Sequence, residues 1–161
     1  MAGFTISRTV SAPRERVFQV FSDLESAPER ITGIQRVELL SPGPVRAGTR
    51  WRETRVMFNR ECTEELEITR FEPDRSYTAE CESCGARFVS TFEFAEHDAG
   101  TAVTVTVHTA PVSLVAKLLS PLTGLMMSSC RKAMEQDVDD LVRFLEAPAD
   151  SEPDAGHAAS G

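Results

Sequence analysis

Long apolar runs are missing from this 161-residue chain. The longest, Leu114 to Met127, is interrupted by Lys117 and falls short of the roughly 20 apolar residues that a bilayer-spanning helix needs, which argues against integral membrane insertion. Net positive charge is missing too: 25 acidic residues face 17 basic ones, for −8. Three of the acids, Asp150, Glu152 and Asp154, lie after Pro148, so residues 1–147 still carry −5. Such a body repels phosphate backbones and anionic surfaces, and no nucleic-acid partner is expected. Histidine is scarce, with three copies: His97 in a turn, His108 near a strand end and His157 in the tail, none placed as a natural catalytic base. No G-x-S-x-G elbow, H-E-x-x-H helix, Walker loop or dinucleotide fingerprint occurs, which removes the usual support for hydrolase, protease, kinase and dehydrogenase readings. The first residues show no basic segment followed by an apolar core, so a cytoplasmic protein with reduced thiols is expected.

One stretch is rich where the rest is sparse. From Val112 to Ala147, Val115, Leu119, Leu122, Met126, Cys130, Met134, Val138, Leu141 and Leu145 recur at steps of three or four, a single face of a helix. Lys117, Ser128, Arg131, Lys132, Glu135, Asp139 and Arg143 fall elsewhere. Ala147-Pro148 ends the pattern, and Ser120-Pro121 inside it predicts a bend, since a straight helix from Ser113 to Glu146 would run about 50 Å.

Upstream, the period is two rather than 3.6. Phe4 to Val10 alternates as a strand; Ser11-Ala12-Pro13 then starts a short helix with Val17, Phe18, Phe21 and Leu24 on one side, and Ala27 to Ile31 allows a further turn. Ile34 to Leu40 reads as a second strand, closed by Ser41-Pro42-Gly43-Pro44. Thr49 to Phe58, Cys62 to Phe71, Ser76 to Glu82, Ala86 to Phe94 and Thr101 to Thr109 follow as strands, divided by turns at Asn59-Arg60, Glu72 to Arg75, Gly85 and Glu96 to Gly100. Short turns between consecutive strands make an antiparallel meander with one buried face, and the long helix is the element available to cover it. The fold class is α+β, with a single domain over residues 1–147 and a disordered acidic tail over 148–161.

Several stretches resemble one superfamily. Ser11-Ala12-Pro13-Arg14-Glu15-Arg16-Val17-Phe18 is similar to its "A-P-x-E-x-V-[WF]" opening, Gly43-Pro44 to Gly48-Thr49 to its "G-P-x-x-x-G" turn, Glu67 to Pro73 to its strand-to-turn pattern, and Gly100 to Thr104 to its "G-T-x-V-T". With the terminal helix Asp140 to Glu146, the order and spacing resemble the SRPBCC superfamily of START domains, polyketide cyclases and birch-pollen allergens, in its bacterial polyketide cyclase-like branch. Many relatives carry a Trp-Pro pair after the first helix, where this chain has Ala27-Pro28-Glu29-Arg30-Ile31, a change beside the expected cavity mouth. The resemblance implies a helix-grip fold: a curved antiparallel sheet of about seven strands around the long C-terminal helix, two short helices after the first strand, and an internal cavity for an apolar ligand. It implies no single activity, because a shared fold hosts many.

Strand phase and helix face nominate the residues lining such a cavity: Trp51, Arg55, Met57, Leu66, Ile68, Tyr77, Phe88 and Phe92 from the sheet, and Leu119, Leu122, Met126, Met127 and Cys130 from the helix. The methionines suit an adaptable apolar wall, although all these residues equally suit a filled core. Glu53 and Arg55 share the phase of Trp51 and Met57, and Glu64 that of Leu66 and Ile68. A desolvated Glu53 or Glu64 would serve as general acid or base; either would equally form ion pairs with Arg52 or Arg55. If Ile68 lies near Thr78, then Cys62, Cys81 and Cys84 approach one end of the sheet, but Cys81-x-x-Cys84 is only half a zinc knuckle and no metal or other cofactor is expected.

The leading expectation is a protein that binds a small hydrophobic molecule, lipid or polyketide-like, between sheet and helix. The alternatives are a metal-free cyclase or dehydratase that moves protons through a cavity carboxylate, and a co-chaperone-like module with an exposed apolar surface in place of a pocket. Ligand identity and oligomeric state are not legible in the sequence.

Overall fold

The computed structural model describes residues 2–57, 59–83, 85–114 and 120–148. Among these residues, seven strands and three helices follow in the order β1 (Ala2–Val10), α1 (Arg14–Ser22), α2 (Ala27–Arg30), β2 (Ile34–Leu39), β3 (Arg50–Met57), β4 (Arg60–Glu72), β5 (Ser76–Ser83), β6 (Ala86–His97), β7 (Gly100–Pro111) and α3 (Ser120–Glu146). The strands form one antiparallel sheet in the order β1-β7-β6-β5-β4-β3-β2. From β2 to β7 this is the meander expected from the turns; β1 then adds to the far edge, so the helices between β1 and β2 lie across the same face as α3. This is the helix-grip arrangement.

Turn chemistry fixes the strand ends. Asn59 (φ 60°) and Asp74 (φ 64°) adopt the left-handed conformation that short polar side chains tolerate, at two of the turns expected from sequence. Gly100 opens β7 at φ +135°, where a Cβ would stand 2.2 Å from the carbonyl oxygen of Val10, so no residue with a side chain fits. Irregularities in β2 between Ile34 and Arg36 and in β4 between Ile68 and Arg70 each upset the two-residue period and add local twist. The second one moves the register: Ile68 faces Ala79, and Arg70 faces Thr78. The expected Ile68–Thr78 pairing is thus off by one, because an ideal strand carries no extra residue.

The concave face is sealed at one end. Phe18 of α1 meets Phe71, Tyr77 and Phe94 edge-on at ring-centroid distances of 5.4, 6.0 and 5.4 Å, and Phe21 meets Phe94 at 5.3 Å. Tyr77 stacks on Phe92 at 4.6 Å, and its hydroxyl donates to the Phe21 carbonyl at 3.0 Å, which satisfies the one polar atom of the cluster. Val103, Val105 and Val107 of β7 lie beneath, all buried, as their alternation required. The C-terminal half of α3 closes this end with Val138 and Leu141. Asp140, also buried, accepts from the Thr32 amide (3.0 Å), the Thr32 hydroxyl (2.8 Å) and Gln136 (3.0 Å), which ties the helix to the chain between α2 and β2. Arg8 of β1 donates to Asp139 at 2.8 Å on the neighbouring turn.

Pro121 stands in the first turn of the described helix, a position that tolerates proline. The bend expected there meets the limit of the description, since residues 115–119, including Val115 and Leu119, lie outside the described residues, as do Phe58, Cys84 and the tail from residue 149.

Candidate functional site

Toward the other end, the described residues cover the concave face less completely. Met57, Leu66 and Phe88 belong to the inward phase of β3, β4 and β6, yet each is only half-buried. Above them the apolar stripe of α3 loses cover toward its start: Val138 is 1% exposed, Met134 and Cys130 are half-buried, and Met126 is 39% exposed. Met127 still reaches the sheet, where its sulfur accepts from the Thr109 hydroxyl at 3.7 Å. Leu125 and Leu114 are largely exposed. Among the described residues, apolar side chains on this part of the concave face are thus left partly accessible.

Charged groups line the floor where the open and sealed ends meet. The Arg55 guanidinium donates to Asp137 of α3 through Nη1 (3.1 Å) and Nη2 (2.5 Å), and through Nε to Glu53 Oε1 (2.5 Å). The other oxygen of Glu53 accepts from the Trp51 indole at 3.4 Å. Burial alone would lower the Arg55 pKa, but its hydrogen bond to Asp137 and the field of Glu53 outweigh this and raise it. Burial pushes the Asp137 carboxyl above its ordinary value, with Arg55 acting in the opposite sense and Glu53 and Asp140 adding to the rise. The Tyr77 hydroxyl is held neutral, first by burial and then by Glu53.

Across the β3–β4 ladder Glu53 stands directly opposite Glu64. Glu64 accepts from the Ser83 hydroxyl and from the Cys81 thiol at 3.6 Å. Burial, reinforced by Glu64, pushes that thiol up to about 12, so Cys81 remains a protonated donor. Three carboxylates (Glu53, Glu64 and Asp137), the Arg55 guanidinium that two of them engage, the Ser83 hydroxyl and the Cys81 thiol therefore form one polar group on this face.

The residues singled out in sequence divide accordingly. Trp51, Ile68 and Tyr77 are core, each less than 5% exposed. Met57, Leu66, Phe88, Phe92, Met127, Cys130 and Arg55 are half-buried, and Met126 is exposed. Leu119 and the side chain of Leu122 lie outside the described residues. Glu53 pairs with Arg55 of its own strand, whereas Arg52 turns outward to Glu38 and Glu65. Cys62 and Cys81 are half-buried, Cys84 lies outside the described residues, and no group of three or more His, Cys, Asp and Glu among the described residues is arranged to hold a metal. His108 is exposed, and His97 accepts from the Ala99 amide within its turn. Asp137 is the functional side chain that sequence reasoning passed over. Its position, three after Met134 and four before Leu141, already placed it on the buried stripe.

Solved structures share this architecture. TTHA0849 from Thermus thermophilus superposes with a TM-score of 0.74 at 19% identity, over 89% of this chain and 97% of that one. The Zhui aromatase/cyclase from Streptomyces sp. R1128 gives 0.77 at 13% identity, over 90% and 93%. The di-domain aromatase/cyclase BexL from the BE-7585A biosynthetic pathway gives 0.77 at 17%, over 91% of this chain, which spans half of BexL. At these identities the likeness is one of fold. No curated protein matches the sequence. The family described as polyketide cyclase / dehydrase and lipid transport matches residues 1–146, the whole of the folded domain, and the chain belongs to that family.

Proposed function

We propose that the protein binds a small, mainly apolar molecule in the open half of its concave face, between the middle strands and the first half of α3. The observation that carries this reading is the contrast within one face: aromatic packing seals one end, while Leu66 and Phe88 toward the other remain partly accessible and the helix stripe is uncovered at Met126. Apolar burial supplies the affinity and the polar floor sets orientation. Arg55 is held by Asp137 and Glu53, so its charge is already engaged rather than offered to an anionic head group. Glu53 and Glu64 instead offer acceptors to a ligand hydroxyl or amine. A neutral or cationic ligand fits this floor better than a carboxylate. Native mass spectrometry of protein purified from its own host tests the reading: a stoichiometric apolar adduct is expected, and a bare chain that also rejects a panel of hydrophobic probes would rule it out.

The facing pair Glu53 and Glu64 favours a second reading, cyclase or dehydratase chemistry, the activity named for Zhui and BexL. Glu64 would take a proton from a carbon between two carbonyls and, once that carbon has attacked a ketone, return it to the new alkoxide; taking the second proton of the same carbon and delivering it to the resulting hydroxyl would then form the double bond and release water. Turnover of a poly-β-ketone analogue that is lost in Glu64→Gln while binding persists would establish it.

A further inference from the structure

The ladder between β4 and β5 stops early. Its last rung is Leu66–Cys81, although β4 begins at Arg60 and β5 runs on to Ser83. Pairing on either side is complete: β3 follows β4 to Met57–Arg60, and β6 follows β5 to Ser83–Ala86. The hairpin β3–β4 and the hairpin β5–β6 therefore separate beyond Leu66 and Cys81, and the described positions 64, 65, 82 and 83 carry no rungs between them. One side chain spans the split: the Glu64 carboxylate accepts from Ser83 and Cys81 on the far bank.

A groove of about 480 Å³ lies over the last rungs of this ladder, Leu66–Cys81 and Glu67–Glu80, and extends past its end to Glu65 and Glu82. Glu65, Glu67, Glu80 and Glu82 line it from the outer face, yet Leu66 and Cys81 line it too, and their phase is that of the concave face. In an intact sheet alternate side chains are kept on opposite sides by the continuous backbone ladder. The groove borders the point where that ladder ends.

We propose that this split is the passage through which the ligand reaches and leaves the concave cleft, with the Glu64–Ser83 contact as its latch; the inference rests on the binding reading above. Parting the two hairpins here breaks side-chain contacts, whereas lifting α3 off the sheet breaks the buried Arg55–Asp137 pair and unpacks Val138 and Leu141. The passage is the softer route. Its walls hold four glutamates against Arg50 and Arg87, which are already paired with Glu65 and Glu80, so it admits neutral ligands more readily than anions.

Stopped-flow exchange of the neutral probe N-phenyl-1-naphthylamine tests this. Glu65→Cys and Glu82→Cys are introduced into full-length protein carrying Cys62→Ser, Cys84→Ser and Cys130→Ser, with the unreactive Cys81 retained, and are joined by a short bis-maleimide. Crosslinking is expected to slow association and release together by about tenfold or more with the dissociation constant nearly unchanged, the signature of a gate. The same protein capped by a monofunctional maleimide should exchange at the unlinked rate. Separately, Glu64→Ala in the otherwise unaltered chain should speed both rates, which keeps a test in hand if the multiple variant misfolds. Probe that binds but exchanges at the same rates in the linked or the Glu64→Ala protein would overturn the passage and leave the binding reading intact. Failure of the unaltered chain to bind any probe would overturn both.

Discussion

Arg55 and Asp137 meet fork to fork, Nη1 on Oδ1 at 3.1 Å and Nη2 on Oδ2 at 2.5 Å, joining the third strand to the long helix across 82 residues of sequence. Both side chains are largely removed from water, so the pair works as a fixed joint between sheet and helix. Desolvating two charges offsets much of their attraction, and the joint supports geometry more than net stability.

Removing one partner alone leaves the other charge buried without compensation. Arg55→Met or Asp137→Leu should each cost about 3–5 kcal/mol in urea unfolding, and the double variant should be less destabilised than the sum of the two. Strict additivity in the cycle would show that the residues do not act as a pair.

Asp140 gives the acid side of the stability profile. Burial acts to raise its carboxyl pKa, but the Thr32 amide and hydroxyl, Gln136 and Arg143 outweigh it and hold it below the ordinary carboxylate range. A depressed folded-state pKa means that its stabilisation is complete above the unfolded value near 4 and fades as pH falls through the lower folded value. Asp140→Asn should be less stable than the parent at pH 6, with a gap that narrows below about pH 4. A gap that widens in acid would contradict this assignment.

Cys81 should resist alkylation. With its pKa pushed up to about 12, the thiolate is scarce at pH 8, and iodoacetamide labelling followed by peptide mass spectrometry should find it far slower than an unperturbed thiol. Glu64→Gln removes the charge that adds to burial and should raise the labelling rate. Fast labelling of Cys81 in the unaltered folded protein would refute the environment described for it.

Gly100→Ala should destabilise the domain by about 2 kcal/mol or more, because the new Cβ collides with backbone at the end of β1 and the φ of +135° does not suit an L side chain. An unfolding midpoint equal to the parent's would mean that the β1–β7 junction yields freely.

The overall fold was legible because its signals are local. The α3 stripe, the Val103-Val105-Val107 alternation and the turn residues Asn59 and Gly85 each act within a few positions, and together they specify order and pairing. The register beyond Ile68 was not legible, since a bulge is a response to sheet curvature and changes no residue type. Arg55 was named as a lining residue, but its engagement by Asp137 needs a tertiary contact that spacing on β3 does not reveal. The early end of the β4–β5 ladder was hidden for the same reason: Glu64, Glu65, Glu82 and Ser83 read as ordinary strand, and only the relative course of two hairpins separates them. Polar residues on an otherwise apolar stripe, such as Asp137, are the signal that a closer reading of the helix would have found.

The most direct measurement is equilibrium titration of the full chain with N-phenyl-1-naphthylamine, run beside Cys130→Trp, which projects bulk from α3 into the open half of the face while leaving the sealed half untouched. Saturable enhancement is expected for the parent, with affinity reduced by about tenfold or more in Cys130→Trp at unfolding stability within about 1 kcal/mol of the parent. No saturable binding, or equal binding by the two proteins, would contradict a ligand seated between the middle strands and the first half of α3.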